Sequence, residues 1–162
     1  MIHEVEGDIL LTKAQAIAHG IASNDPMKQG LALSLHERYP AMHKDFHHWC
    51  HQSHPKPGEA WIWGGAGNVR IINLITQEGG FKGEKPGKAS VSNVNHALRS
   101  LKKIIQKEGY SSIALPRLAT GVGGLDWADV KPLIESQLGD LEIQVYVYTV
   151  FHAGQQADEP GI

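Results

Sequence analysis

Apolar and polar residues alternate with two different periods along the chain, and these periods predict strands and helices that follow one another. Runs of apolar residues bounded by turn-forming residues predict six strands. These strands lie at 2–6, 16–19, 59–63, 69–75, 111–116 and 142–150. Apolar residues spaced three and four apart predict four helices, at 29–38, 41–52, 90–108 and 126–138. Strands that alternate with helices favour an α/β domain with a mixed sheet between helical layers.

The clearest helical pattern lies at 90–108, where the apolar residues fall on one face and Ser90 is a candidate N-cap. The preceding loop, 76–89, holds four glycines and three lysines and is too long for a plain connection. Loops of this length in compact domains are usually functional or mobile. We therefore expect one of these two properties here.

Composition adds limits to this picture. A chain of 162 residues is expected to form one domain, which we place at 1–152, and the polar residues 153–162 are typical of a flexible tail. The net charge of −2 gives no general attraction for nucleic acid. No segment approaches the roughly 20 apolar residues of a membrane span, and the N-terminus lacks the pattern of a signal peptide. The only cysteine, Cys50, suits a reducing cytoplasm, and we expect a cytoplasmic monomer that binds no membrane.

A glycine cluster in “LPRLATGVGGLDW”, 115–127, is the strongest indication of a binding site. It lies between a predicted buried strand and a predicted helix. Backbone N–H groups in such a loop, together with the positive end of a helix dipole, are suited to binding phosphate. The alternative is a strained turn that binds no ligand, because glycine also permits positive φ angles.

Two other segments share this setting after a predicted strand: “GDI” at 7–9 and “HGIASNDPMKQG” at 19–30. In open α/β sheets, ligands bind beyond the carboxyl ends of the strands, which is where all three segments are expected. The Walker pattern GxxxxGK[ST] is absent, and “GVGGLDW” lacks the GxGxxG spacing of a dinucleotide-binding fold. The sequence therefore favours a different kind of phosphate site.

Four segments, in order, resemble the macrodomain family: “VEGDIL”, “AHGIASNDPMKQGLALSLHERYP”, “NLITQEGG” and “LPRLATGVGGLDWADVKPLIESQL…VYVYT”. The resemblance covers about residues 2–151 and is strongest to one branch of the family. That branch contains terminal ADP-ribose glycohydrolase, the antitoxin that removes ADP-ribose from thymidine in DNA, and an ADP-ribose-reading chromatin remodeller. It implies a three-layer α/β/α fold that binds ADP-ribose in a cleft at the strand ends.

The resemblance also implies roles for individual residues. Asp8 would accept a hydrogen bond from the adenine amino group, and the Ile9 amide would meet a ring nitrogen; a turn or helix cap is the alternative for Asp8. Gly30 would line the distal ribose and the diphosphate. Tyr148 or Phe151 could pack beside adenine, or be an ordinary core aromatic. The backbone that would wrap the diphosphate belongs to Ala119, Thr120, Gly121, Val122, Gly123 and Gly124.

The chain departs from the pattern of its glycohydrolase relatives at two positions that matter for catalysis. Those relatives use a lysine nucleophile after the strand that contains “NLIT”, assisted by an aspartate in the glycine loop, and this chain has Gln77 and Gly123 there. An amide cannot form the adduct that an amine forms, so we do not expect a lysine-adduct mechanism.

Other residues could support hydrolysis of the glycosidic bond. Gln77 could orient a water molecule, as a glutamine does in some GTPases. Asp25, His19 and Glu78 are predicted to lie in loops that face the distal ribose. Lys28 replaces a glycine of the family pattern and could add positive charge near the phosphates, although a solvated loop lysine is the alternative.

A histidine-rich stripe in “HKDFHHWCHQSH”, 43–54, offers a competing interpretation. Imidazole and thiolate groups four residues apart on a helix can share a zinc ion. No CxxC or HExxH motif accompanies them, however, and one stripe rarely completes a tetrahedral shell. We therefore predict an exposed helix here, with no metal site and no cofactor.

The sequence thus predicts an ADP-ribose-binding domain that acts on ADP-ribosyl linkages, either on a modified macromolecule or on a small ADP-ribose ester. Two alternatives stay open. One is a non-catalytic reader of ADP-ribose, which the loss of the lysine and the aspartate favours. The other is a phosphatase for ADP-ribose 1″-phosphate, which Lys28 and the basic loop 76–89 would suit.

Overall fold

Six strands and four α-helices alternate along the chain in a computed structural model that describes residues 1–80 and 84–162. The strands are β1 (Ile2–Gly7), β2 (Ala16–Ala22), β3 (Ala60–Gly64), β4 (Arg70–Gln77), β5 (Ser112–Pro116) and β6 (Gln144–Phe151). The helices are α1 (Gly30–Arg38), α2 (Pro40–Ser53), α3 (Val91–Glu108) and α4 (Trp127–Leu138). Short 3₁₀ helices, which we did not predict, occupy Ile9–Leu11 and Ala66–Asn68. Part of the predicted functional or mobile loop, residues 81–83, lies outside the described residues.

The strands form one mixed sheet in the order β1-β6-β5-β2-β4-β3. Only β3 runs antiparallel to its neighbour, and the other pairs are parallel. The carboxyl ends of five strands therefore meet at one edge of the sheet, which we call the carboxyl edge. The loops that follow β1, β2, β4, β5 and β6 all begin there.

Helices cover both faces of the sheet because successive strand residues point to opposite sides. In β2, Ala16 and Ala18 belong to a core with α3 and α4, whereas Ile17 and Ile21 belong to a core with α1 and α2. The predicted three-layer α/β/α sandwich with a mixed sheet is confirmed.

The helix α3 shows how local sequence sets an element. Its buried residues Val94, Leu98, Leu101 and Ile105 lie on one face, and the Ser90 hydroxyl accepts the Asn93 N–H at 3.1 Å as a cap. Gly109 ends the helix in the left-handed conformation at φ 69°, which glycine adopts without a steric penalty.

The C-terminal segment makes defined contacts, unlike the flexible tail that its composition predicts. Glu159 is buried, and its carboxylate accepts the Thr12 hydroxyl at 2.5 Å, the Lys13 N–H at 2.8 Å and the Tyr148 hydroxyl at 2.7 Å. The Tyr146 hydroxyl donates to the carbonyl of Pro160. These bonds hold residues 154–160 against β6 and the segment after β1. The limit of the domain at residue 152 stays a prediction.

Within residues 1–80 and 84–162, none of the helices combines the length and the apolar character needed to span a membrane.

Candidate functional site

Hydrogen bonds join the loops at the carboxyl edge in two groups. The Asn24 side chain donates to the carbonyl of Glu84 at 3.2 Å and joins the loops after β2 and β4. The Ala89 N–H donates to the carbonyl of Gly123 at 3.1 Å and joins the loops after β4 and β5. On the other side, the Asp8 N–H donates to the carbonyl of Gln155 at 2.7 Å and joins the segments after β1 and β6.

The glycine loop after β5 presents a row of unpaired backbone donors. Two hydrogen bonds close it: Leu125 N–H to Ala119 O at 3.0 Å, and Gly124 N–H to Gly121 O at 3.1 Å. Within the described residues, the four N–H groups of 120–123 donate to no protein acceptor. Such consecutive free donors form a concavity suited to an anion.

The three glycines of this loop differ in what surrounds them. A Cβ on Gly123 would lie 2.7 Å from the Ala119 carbonyl oxygen, and Gly124 has φ 78°, so the conformation of the loop itself requires both. A Cβ on Gly121 would meet nothing within 4 Å. No described protein atom therefore requires a glycine at position 121, and the open space there leaves room for a ligand to approach the backbone.

The amino end of α1 adds further donors at this edge. Gly30 begins the helix at φ 62° and is exposed, and Gln29 makes no capping bond with its side chain. The first N–H groups of a helix lack intrahelical acceptors and carry partial positive charge. Lys28 is exposed just before them and adds a full positive charge.

Gln77 is the last residue of β4 and is buried. Its Nε2 donates to the carbonyl of Gly87 at 2.9 Å, whereas its Oε1 has no partner among the described residues. The bond on nitrogen orients the amide and leaves its oxygen as a free acceptor. Such an oxygen can accept a hydrogen bond from a water molecule, but it cannot remove a proton from it.

Asp25 lies in the loop between β2 and α1, close to Gln77. Its N–H donates to the carbonyl of Ala22, and Ala22 pairs with Gln77 in the sheet. The Asp25 Oδ1 accepts the Met27 N–H at 2.7 Å. Burial raises the pKa of Asp25 above its usual range, and the Met27 bond and nearby His47 oppose that shift. A carboxylate with a raised pKa is a better proton acceptor than a fully exposed one.

His19 does not lie in a loop, contrary to the expectation from sequence. It is a buried residue of β2, paired with Asn73 of β4, and its Nε2 is 2.7 Å from the Asn73 Oδ1. Since that oxygen only accepts, the Nε2 carries the proton. Burial lowers the pKa of His19 to about 4. These contacts give His19 a place in the sheet and no access to a ligand.

Asp8 caps the 3₁₀ helix that follows β1, which agrees with the alternative interpretation of this residue. Its Oδ1 accepts the Leu10 N–H at 3.0 Å, and its Oδ2 accepts the Gly154 N–H at 2.9 Å. The Ile9 N–H has no partner among the described residues, although the Ile9 side chain is buried. The carboxylate keeps further lone pairs, so a third donor could still bind it.

The two aromatic candidates differ sharply in exposure. Tyr148 is 6% exposed, and its hydroxyl donates to Glu159, so it is a core residue with a paired hydroxyl. Phe151 ends β6 and is 64% exposed. Of these two candidates, Phe151 is the one that offers a free ring at the carboxyl edge.

The histidine stripe packs without a metal site among the described residues. His43 lies between two other rings, with its centroid 3.7 Å from that of His36 and 4.2 Å from that of His47. Burial and these two neighbours lower the pKa of His43 to about 4. Burial raises the pKa of the Cys50 thiol to about 12.

Two surface depressions, of about 400 and 210 Å³, lie away from the carboxyl edge. One adjoins Met1, Ser111 and Gln144, and the other adjoins Ala16 and Ile71. These residues stand at the amino ends of their strands. The candidate site is therefore defined by its donors rather than by either depression.

Comparison with known proteins decides the family. The Macro domain family model matches residues 18–134. The chain belongs to the Macro domain family. This match confirms the resemblance seen in the sequence.

Curated relatives of the chain include glycohydrolases. The chain is 28% identical over 152 residues to the DNA ADP-ribosyl glycohydrolase of Mycobacterium tuberculosis, which covers 90% of this chain and 42% of that protein. It is 25% identical over 147 residues to human ADP-ribose glycohydrolase OARD1, which covers 90% of both. The chain thus spans less than half of the length of its mycobacterial relative.

Solved structures agree with the fold. The macrodomain of Thermus aquaticus DarG has a TM-score of 0.81 and 27% identity, with 92% of this chain and 98% of that chain covered. The macrodomain of Mycobacterium tuberculosis DarG has a TM-score of 0.82 and 25% identity, with 91% and 97% covered.

Proposed function

We propose that this macrodomain binds ADP-ribose at the carboxyl edge and hydrolyses an ADP-ribosyl linkage without a lysine nucleophile. The observation that carries the proposal is the row of four N–H groups at 120–123 that have no acceptor among the described residues. The amino end of α1 lies at the same edge of the sheet. Donors of this kind suit a diphosphate. Relatives named as ADP-ribosyl glycohydrolases support the same conclusion.

In this proposal, the ligand extends along the carboxyl edge. Adenine lies between Asp8, the free Ile9 N–H and the exposed ring of Phe151. The diphosphate binds the backbone of 119–124. The distal ribose lies towards Gly30 and Gln77, at the ends of α1 and β4.

Hydrolysis then uses water in place of an amine. The Gln77 Oε1 accepts one hydrogen bond from the water, and the Asp25 carboxylate accepts its proton as the water oxygen attacks C1″. The bond between C1″ and the leaving group breaks, and the leaving group carries the electron pair away. Charge on the distal ribose in the transition state is stabilised by the nearby diphosphate. Lys28 would balance the charge of the phosphates.

A second candidate function is that of a non-catalytic ADP-ribose reader. The observation in its favour is that Gln77 carries an amide and Gly123 has no side chain, so neither can act as nucleophile or proton acceptor. Binding would then be present and turnover absent.

We also propose that the chain works as a monomer in the cytoplasm, without general affinity for nucleic acid. Its net charge of −2 and its single cysteine support this. Size-exclusion chromatography with light scattering checks the oligomeric state.

The test has two stages. Calorimetric titration with ADP-ribose, and with AMP as a ligand that lacks the second phosphate and the distal ribose, measures binding. Incubation with ADP-ribosylated protein, ADP-ribosylated DNA, O-acetyl-ADP-ribose and ADP-ribose 1″-phosphate then measures release. We expect tighter binding of ADP-ribose than of AMP, and release of ADP-ribose from at least one linkage. Binding without any release would support the reader, and absence of binding would contradict both functions.

A further inference from the structure

A hairpin after β4 brings a lysine back to the carboxyl edge. Gln77 and Ala89 form an antiparallel bridge, the Gly87 N–H donates to the Glu78 carbonyl at 2.7 Å, and the Glu78 N–H donates to the Lys88 carbonyl at 3.4 Å. The returning arm of the hairpin therefore lies beside the end of β4. Lys88 lies on this arm, opposite Glu78, the first residue after β4.

The Lys88 side chain extends along the glycine loop. Its Cδ lies 3.9 Å from the position that a Cβ on Gly124 would occupy. The next residue, Ala89, donates its N–H to Gly123, which fixes the backbone of the arm against the same loop. Since Nζ is only two bonds beyond Cδ, the ammonium group can reach an anion held by the free N–H groups of 120–123.

The charge of Lys88 is not neutralised by the protein. Lys88 is exposed, and it forms no ion pair with any acidic side chain in the described part of the chain. Glu78, whose backbone pairs with that of Lys88, has its carboxylate within 3.4 Å of the Asn93 amide instead. An unpaired ammonium group beside unpaired N–H donors is an arrangement that a bound anion completes.

We propose that Lys88 is a ligand-binding residue of this site, whose ammonium group contacts the diphosphate held by the glycine loop. The assignment rests on the proposed function, because the anion is the diphosphate of ADP-ribose. Lys88 adds a charge-assisted contact to neutral backbone donors, so the affinity for the ligand becomes sensitive to salt.

Three variants test the role of Lys88. Lys88→Gln removes the charge, Lys88→Arg keeps it, and Lys85→Gln removes a charge from an exposed position of the same hairpin. Because both lysines are exposed, circular dichroism and thermal unfolding should show the parent fold in all three. Calorimetric titrations with ADP-ribose are then run between about 0.05 and 0.5 M NaCl.

We expect Lys88→Gln to weaken ADP-ribose binding about tenfold at low salt, and to flatten the dependence of affinity on salt. Lys88→Arg and Lys85→Gln should bind within about twofold of the parent. Parent-like affinity and salt dependence in Lys88→Gln would overturn the assignment while leaving the proposed function intact. Equal losses of ADP-ribose affinity in Lys88→Gln and Lys85→Gln would overturn it too, because they would show that binding depends on the total positive charge of the hairpin and not on a contact by Lys88. Failure of the unaltered chain to bind ADP-ribose would overturn the proposed function and, with it, this contact.

Discussion

The Asp8 carboxylate accepts the backbone N–H of Gly154 at 2.9 Å, a contact between residues 146 positions apart. The same carboxylate caps the 3₁₀ helix through Leu10. The proposed adenine end of the site is therefore built from both ends of the chain. Any change at Asp8 should affect the packing of the C-terminal segment as well as the ligand.

Replacing Asp8 with alanine should weaken ADP-ribose binding by about 1–3 kcal/mol, because the adenine amino group loses its acceptor. Stability should also fall, since two backbone N–H groups lose a partner. The inosine analogue of ADP-ribose separates the two effects because it lacks the amino group. The parent should prefer ADP-ribose over this analogue, and Asp8→Ala should lose most of the preference in calorimetry. A preference that survives in the variant would contradict the adenine assignment.

Replacing Gly121 with valine should lower ADP-ribose affinity at least tenfold while changing the free energy of unfolding by less than about 1 kcal/mol. A Cβ at this position meets nothing within 4 Å, and the side chain would occupy the space assigned to the ligand. Gly124→Val is the contrast, because φ 78° is strained for valine and stability should fall as well. Calorimetry and urea unfolding measure both quantities. Normal binding by Gly121→Val would exclude the loop as the diphosphate site.

Replacing Gln77 with methionine should lower kcat at least tenfold and leave ADP-ribose affinity nearly unchanged. Methionine keeps the length of the side chain but removes the amide oxygen that would orient water. Release of ADP-ribose from whichever of the four tested substrates the parent hydrolyses is the readout, and product affinity is the control for the lost Gly87 bond. Full activity in this variant would assign the water to another group.

Replacing Glu159 with alanine should lower the free energy of unfolding by about 2–3 kcal/mol, because Thr12, Lys13 and Tyr148 lose a buried acceptor. Asp158→Ala, at the exposed neighbouring position, should change it by less than about 0.5 kcal/mol. Urea unfolding followed by circular dichroism compares the two variants. Equal effects would indicate that the C-terminal segment is loosely attached.

Acidification should destabilise the protein partly through His19. The folded pKa is about 4, below the ordinary value of 6.5. The unfolded chain therefore gains a proton as the pH falls below about 6.5, and the folded chain does not until about 4. Stability from this group is present above 6.5 and is lost as the pH falls towards 4.

Between about pH 7 and pH 5, His19 should lower the free energy of unfolding by about 2 kcal/mol. Urea unfolding of the parent and of His19→Gln across this range measures it, and His19→Gln should give a flatter curve. The pKa of His43 is lowered as well, so part of the dependence of stability on pH should persist in His19→Gln. His48→Gln, at an exposed position of α2, serves as the control. If the free energy of unfolding of His19→Gln falls with pH as steeply as that of the parent, His19 does not contribute to the pH dependence of stability.

Much of the architecture could be predicted because it depends on short-range patterns. The bounds of α3, its cap at Ser90 and the buried runs of β4 and β5 follow from apolar spacing within a few turns or pleats. The glycine loop was predictable as a special segment for the same reason. The separate reasons for Gly121, Gly123 and Gly124 were not, because they depend on φ angles and on contacts across the loop.

The polar composition of the last ten residues does not reveal the contacts that this segment makes, because composition does not identify a distant partner. Glu159 is one acid among many in the sequence, and only the packing of β1 beside β6 brings Thr12 and Tyr148 to it. Neighbours along the chain predicted His19 in a loop near the ligand, and for Tyr148 they allowed either a place beside adenine or one in the core. Their burial follows instead from strand pairing and from the tail that covers β6.

By itself, the sequence determined the order of strands and helices, the buried face of α3, and membership of the macrodomain family. These properties depend on residue spacing and on motifs that are contiguous in the chain. Only the tertiary structure decided that Gly154 binds Asp8, that His19 meets Asn73 within the sheet, and that Lys88 lies along Gly124. Each of these contacts joins segments whose proximity depends on which strands are neighbours and where each loop turns back. That choice is made by packing of the whole domain.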